Sequence, residues 1–297
     1  LNYNHINLGE KDLDNMKNIK NKFRNMKKAI TMEIMEHKSS FIVYVILRSL
    51  VILAMILQIF NQNYENVFLC LLTLFLLTVP SFIQVQWKIE LPTGLEIVML
   101  IFIFAAEILG EISSYYIKYP LWDTILHTIN GFLMAAIGFS LVDLLNQHNK
   151  ETFNLSPAFM AVVAFCFSMT IGVVWEFFEF GMDTLFGLDM QKDTIIHAIN
   201  SVTLDPTRTN TVVRIEDIQT VLINGQDLGL GGYLDIGLID TMKDLIVNFI
   251  GAFIFSVIGF FYVKSRGQGK FAKRFIPRTK ERHNDYLRKI EEEQEGR

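Results

Sequence analysis

The chain has 297 residues, 51% of them hydrophobic and 12% aromatic, with 27 basic against 31 acidic side chains. Several apolar runs reach the roughly 20 residues needed to cross a bilayer, which excludes a soluble globular chain and predicts an all-α, polytopic membrane helix bundle in contact with membrane lipids. The net charge of −4 says little as a total, because acids and bases sit in different places, and no nucleic-acid partner is expected.

Residues 1–40 are polar and lysine-rich. They lack an apolar core followed by a small-residue cleavage pattern, so they are expected to be a cytoplasmic basic segment and not a cleaved signal. Six spans are predicted, at about 41–60, 66–86, 95–114, 121–145, 158–181 and 240–263, giving a membrane domain over 41–263. Arg48 falls inside the first span, where it either reaches toward the cytoplasmic edge or pairs with a carboxylate of a neighbouring helix. Pro80 is the one internal proline break, in the second span. Cys70 and Cys166 lie in apolar runs without CxxC spacing and read as packing residues. Tyr115, Tyr116, Tyr119 and Trp122 cluster about the third connection as an interfacial belt would.

The longest connection, 182–239, is too long for an idle turn and reads as an external lid or small subdomain. Its run TVVRIEDIQTVLING predicts a short hairpin, and GQDLGLGGYLDIG is rich in turns. His197 within it reads as a surface histidine. Residues 264–297 are expected to be a charged cytoplasmic tail, solvated and partly helical from Phe271 to Arg297.

Orientation follows from the basic flanks. Lys22, Arg24, Lys27, Lys28 and Lys38 precede the first span, and Lys264, Arg266, Lys270, Lys273, Arg274 and Arg278 follow the last. Both termini are therefore expected to be cytoplasmic, with Lys88 and Lys150 on internal loops and Lys118 against the trend.

With that orientation, the acids gather at the external end of the last four spans. The third span ends with Glu107 and Glu111, and the fourth begins with Asp123 and His127. The fifth ends with Glu176, Glu179 and Asp183, and the sixth begins with Asp240, Asp244 and Asn248. Spacings of three and four residues put each set on one helix face. So many carboxylates facing lipid would be costly, so they are expected to line a polar cleft, where they share protons or bind a cation. Carboxylates with one imidazole suit a divalent cation such as magnesium, manganese, calcium or zinc. Asp123, His127, Glu176, Glu179, Asp240 and Asp244 are the candidate ligands. Structural roles stay open beside this: Asp123 and Asp240 as helix starters, Asp183 as a loop acid, and the deeper groups as interhelical hydrogen-bond partners. The segments DTILH and DTMKD, each followed by an IGF triplet, hint at a duplicated hairpin, though at unequal distances.

Through WDTILH, WEFFEF and GYLDIGLIDTMKDLIVNFIGA the chain resembles the YjdF-like family of bacterial inner-membrane proteins and, more distantly, the VanZ-like membrane proteins, over about residues 95–263. The resemblance implies a multi-pass protein of the bacterial inner membrane and adds weight to the acidic positions. It does not carry over a glycopeptide-resistance role, because Glu176 is followed here by Glu179 where VanZ-like proteins commonly have glutamine. Three functional readings remain. One is an intramembrane enzyme acting on a lipid-linked envelope substrate through His127, Glu176 and Asp244, with water as nucleophile. The others are a proton- or cation-coupled transporter and a non-catalytic interaction protein.

Overall fold

The computed structural model describes residues 6–148, 155–265, 272–281 and 284–295. Lys150, Arg266 and Lys270 of the orientation argument lie outside them. A polar helix α1 (Ile6–Glu36) leads into α2 (Lys38–Phe60), α3 (Tyr64–Leu76), α4 (Val79–Trp87) and the short strand β1 (Ile89–Glu90). Then come α5 (Thr93–Phe104), continued by a π-helical turn over Ala105–Ile112, the single turn α6 (Tyr115–Lys118), α7 (Trp122–His148) and α8 (Pro157–Phe186). The long connection carries β2 (Ile195–Ile196), β3 (Ile199–Ser201), β4 (Val213–Ile215), β5 (Leu222–Ile223), β6 (Gln226–Asp227) and β7 (Tyr233–Leu234). After it stand α9 (Leu238–Lys264), β8 (Arg278–Thr279) and α10 (Tyr286–Glu295).

Among the described residues, Lys38–Phe60, Tyr64–Trp87, Trp122–Asp143, Pro157–Phe186 and Leu238–Lys264 are long and apolar enough to cross a membrane. The expected third span is a composite, 12 residues of α-helix followed by 8 of π-helix. The second span breaks at Leu77–Thr78, just before Pro80, whose ring and missing N–H prevent a regular helix there. The Thr78 amide turns back to the Phe75 carbonyl, and Arg48 Nη1 reaches across from α2 to the Leu74 carbonyl at 3.4 Å and to Tyr44 Oη at 2.9 Å. Of the two readings of Arg48, pairing with a carboxylate is not what the described residues show: it meets a carbonyl and a phenol.

The centre of the molecule is α7, α8 and α9. Gly131 and Gly251 bring the α7 and α9 backbones together: a Cβ at Gly131 would lie 2.1 Å from the Asn248 carbonyl oxygen, and one at Gly251 2.0 Å from that of Thr128. Such small-residue contacts let membrane helices approach closely. Ser168 Oγ on α8 donates to the Gly131 carbonyl at 2.7 Å, which brings the third helix in. Leu133, Ala135, Ala136, Phe139, Met160, Ala164, Ala252 and Phe255 fill the interior. A second cluster, Val51, Cys70, Leu77, Leu100 and Ile108, joins α2, α3 and α5. Cys70 is buried there as expected, whereas Cys166 lies on the exposed apolar surface of α8.

The tail is not the free extension that its charge suggested. Ile276 is buried in the main core, β8 pairs antiparallel with β1, and Ile290 of α10 packs on Ala29 of α1 and Val85 of α4. The amides of Asn25 and Gln294 exchange hydrogen bonds at 2.9 and 2.8 Å, and Lys280 makes a buried ion pair with Glu33.

The connection forms three two-stranded pairs, β2 with β7, β3 with β4 and β5 with β6. The hairpin expected inside Thr211–Gly225 does not form: β4 pairs backward and β5 forward, the latter through Asn224–Gly225, both at positive φ. That dipeptide has the conformation a two-residue hairpin turn demands. His197 is exposed, as expected, with its ring Nδ1 3.1 Å from the Ile218 carbonyl. Asp205 organises the loop between β3 and β4, accepting from the Thr207 hydroxyl and from the amides of Thr207, Thr209 and Thr211. These bonds, the Thr207 hydroxyl foremost, hold its carboxyl well below the usual aspartate range. Asp205→Ala should therefore speed amide hydrogen exchange at Thr207, Thr209 and Thr211 by about tenfold or more. Unchanged exchange would mean the loop is held by something else.

Candidate metal centre

Local sequence sets the three helices that build the site. Ser156 caps α8, accepting from the Phe159 amide at 3.2 Å with Pro157 in the first turn, and Gly187 ends the helix at φ 66°. Gly237 at φ 83° precedes α9, and Asp235 accepts the Ile239 amide at 2.8 Å. Capping of α9 therefore falls to Asp235, a residue the sequence did not single out, although an Asp two residues before a glycine at a helix start is a readable signal. At the N-terminal end of α7, Asp123 stands in the first turn and His127 one turn deeper.

His127 is where the helices meet. Its Nε2 lies 3.5 Å from Asp123 Oδ1 and 3.9 Å from Asp244 Oδ2 of α9, and its Nδ1 lies 4.0 Å from Glu176 Oε1 of α8. One ligand atom from each of Asp123, His127 and Asp244 falls within a set no wider than 4.8 Å. Asp244 is 3% exposed and Glu176 5%. Most of these separations exceed a good hydrogen bond. They match instead the spacing of about 3–4 Å between donors that each stand about 2.0–2.2 Å from one shared cation. Glu176 Oε2 is buried without a hydrogen-bond partner among the described residues, which in an interior of this kind calls for a ligand or a proton. The donor set of two carboxylates and an imidazole thus fits a divalent cation, with Nε2 as the ligand nitrogen and Nδ1 directed at Glu176. A carboxylate behind the other ring nitrogen is the arrangement that orients metal-bound histidines.

The deep side of the centre is closed by amides. Asn248, 1% exposed, receives Asn130 Nδ2 at 3.3 Å and donates to Met169 Sδ at 3.6 Å, and Gly172 leaves room for its side chain. The opposite side is covered by the start of the long connection. Asp183 accepts the amides of Met190 and Gln191 at 2.6 and 2.8 Å, Asp240 accepts the Lys192 amide at 2.8 Å, and Gln191 Nε2 bonds Thr241 Oγ1.

Of the candidate residues, Asp123, His127 and Asp244 form the close group and Glu176 faces it. Glu179 is buried one turn nearer the connection, outside the group. Asp240 and Asp183 tie down the loop by backbone hydrogen bonds, so Asp240 is occupied as a loop anchor and Asp183 is no free loop acid. Glu107 and Glu111 lie on the π-helical turn, where Glu111 comes within electrostatic range of Asp123 and Lys192. Gln191 was not legible, because a neutral residue in a loop gives no periodic signal.

A helical membrane bundle with an acid and histidine centre between three of its helices is the class these features define. The chain belongs to the family described as predicted membrane protein (DUF2238), which matches residues 43–265 and so takes in every residue of the centre. No curated protein and no solved structure matches it.

Proposed function

We propose that this is an intramembrane, metal-assisted hydrolase acting on a lipid-linked envelope substrate near the outer leaflet. The observation that carries the reading is His127 held between three carboxylates at 3.5–4.0 Å, beside a buried, unpartnered oxygen of Glu176. Asp123, His127 Nε2 and Asp244 hold a divalent cation, which when bound supplies charge to polarise the substrate and lower the pKa of water. Glu176 takes the proton from the attacking water as its oxygen bonds to the substrate, and returns it to the leaving oxygen as that bond breaks. Gln191 and Thr241 hold the covering loop over the centre.

The same reading sets the chain in the bacterial inner membrane, akin to the YjdF-like and VanZ-like proteins. Residues 1–40 and 264–297 are cytoplasmic, 41–263 form the membrane domain, and 182–239 is its external loop; the basic flanks support this orientation. A second reading, cation- or proton-coupled transport, draws on the interrupted α3–α4 helix and the π-helical turn after α5, since transport sites favour broken helices. It ranks lower because α7, α8 and α9, which carry the centre, are unbroken and bring Asp123, Glu176, Glu179, Asp183, Asp240 and Asp244 to one end.

Elemental analysis of the purified full chain is the test. Wild type should retain one divalent ion per chain, His127→Ala and Asp244→Asn should lose it, and Glu176→Gln should retain it while losing the cellular phenotype. A chain without divalent metal, together with an intact phenotype in Glu176→Gln and Asp244→Asn, would sink the proposal. Cation-dependent flux in proteoliposomes lost in His127→Ala would move it to the transport reading.

A further inference from the structure

The two halves of helix α1 have different surroundings. From Asn25 onward one face is covered: Asn25, Ala29 and Glu33 are buried, and Met26 and Ile30 pack beside Val85 of α4 and Ile290 of α10. From Asn15 to Arg24 every side chain is exposed. The apolar stripe nevertheless runs on into that half. Met16, Ile19, Phe23, Met26 and Ile30 recur at alternating steps of three and four, which puts them on one face, and Met16, Ile19 and Phe23 are 68%, 67% and 74% exposed. Lys17, Lys20, Lys22, Arg24, Lys27 and Lys28 are all exposed around it, and no acid lies between Asn15 and Met32.

The bases select the occupant of this face. The stripe has coiled-coil spacing, but Lys20, Lys22 and Lys27 take the positions that flank it, where a second copy of the helix would set lysine against lysine. A nucleic acid would engage the bases and leave the methionine, isoleucine and phenylalanine at their centre uncovered. A bilayer surface satisfies both, with acyl chains for the stripe and phosphates for the bases. The bilayer is also at hand, because α1 ends at Glu36 and the apolar helix α2 starts at Lys38, with only an extended His37 between them. We propose that the exposed half of α1 is a membrane-surface helix, with Met16, Ile19 and Phe23 among the acyl chains and the flanking bases on the phosphates of anionic glycerophospholipid in the cytoplasmic leaflet. Since Asn25 bonds Gln294 and Glu33 pairs with Lys280, this contact also holds the C-terminal tail at the membrane. The choice of leaflet rests on the cytoplasmic placement of residues 1–40; the lipid contact rests neither on that placement nor on the hydrolase reading.

The test uses the full chain with its two cysteines replaced, Cys70→Ala and Cys166→Ala. One reporter cysteine at a time, Ile19→Cys, Phe23→Cys or, on the opposite face, Asn21→Cys, carries the environment-sensitive dye nitrobenzoxadiazole. In nanodiscs containing phosphatidylglycerol, the dye at positions 19 and 23 should shift to the blue and be quenched by doxyl-labelled lipid, and at position 21 it should do neither. Lys20→Gln, Lys22→Gln and Lys27→Gln together should remove the shift. Raising the salt from about 0.1 M to about 1 M, which shortens the screening length from about 10 Å to about 3 Å, should remove it as well. Thermal unfolding checks that the triple variant is folded, and the salt series decides if it is not. The same shift in nanodiscs of phosphatidylcholine alone would overturn the choice of anionic lipid, and no shift in either would overturn the proposal. A shift in lipid-free micelles that grows with protein concentration would assign the stripe to a second copy instead, and one produced by added RNA would assign it to a nucleic acid. Labelling of Asn21→Cys by an impermeant thiol reagent in right-side-out vesicles would overturn the choice of leaflet, and the orientation with it, while leaving the nanodisc result standing.

Discussion

Gly251→Ala should force α7 and α9 apart and break up the group of Asp123, His127 and Asp244 between them. The new Cβ would lie 2.0 Å from the Thr128 carbonyl oxygen and 2.9 Å from the Phe132 nitrogen, both backbone atoms that no rotamer change can move. Gly131→Ala meets the Asn248 carbonyl oxygen at 2.1 Å in the same crossing, from the other helix. Relief requires a shift of one whole helix against the other, which should cost about 3 kcal/mol, the upper end for overpacking. It should also carry Asp244, on α9, away from His127, on α7. Gly181→Ala is the control, since its Cβ would meet nothing within 4 Å and alanine favours the helix. Thermal unfolding of the three variants in micelles, with metal content measured on each, checks the claim. If Gly251→Ala unfolds at the same temperature as Gly181→Ala, the close crossing is not what holds these helices.

At the other end of the molecule, Lys280→Met should destabilise strongly at pH 8 and weakly at pH 5. Lys280 and Glu33 form an ion pair with both side chains almost wholly buried, at the junction of α1 with the chain after β8. Burial pushes the Glu33 carboxyl up to about 7, against the lowering effect of Lys280 and with Glu36 and Glu96 adding repulsion. A raised carboxyl pKa means the folded state keeps a proton that the unfolded state releases. The group's contribution is therefore fully present below about pH 4.5 and is lost as pH rises through about 7, amounting to about 3 kcal/mol. Removing the lysine leaves the carboxylate buried and uncompensated above that range, a loss of about 3–5 kcal/mol for a broken buried pair. Below it, Glu33 is neutral and the loss shrinks. Glu33→Gln in the same chain should restore most of the stability at pH 8 and flatten the pH dependence. Equal losses at pH 5 and pH 8, read as shifts in the thermal midpoint, would show that Lys280 acts by packing alone.

Glu33 also shows where the sequence was silent. Asn25, Ala29 and Glu33 recur every four residues and form the buried stripe of α1. Two of the three are polar, so the stripe carries no apolar signal, and its partner α10 lies more than 240 residues on, as the Asn25 and Gln294 pair shows. The tail reads as solvated for the same reason: Phe275, Ile276, Leu287 and Ile290 are sparse apolar residues in a charged stretch, and only the fold tells that Ile276 and Ile290 are covered. The π-helical turn after Phe104 left no trace either, because its residues are as helix-compatible as those before it.

By itself the sequence determined the apolar helices, to within a few residues at their ends, since 20-residue apolar runs have few alternatives in a bilayer. It also determined that Asp123 and His127 share one face of α7 and that Asp240 and Asp244 share one of α9, because helical spacing alone dictates that. Which acids meet was decided only by tertiary structure. Contact between Gly131 and Asn248, and between Gly251 and Thr128, sets the depth and rotation of α7 against α9. That register brings Asp244 to His127, while Asp240, one turn away, is left to hold the Lys192 amide. Carboxylates that are equivalent on a helical wheel thus acquire different surroundings, because a shift of one turn, about 5.4 Å, separates a partner of His127 from a loop anchor.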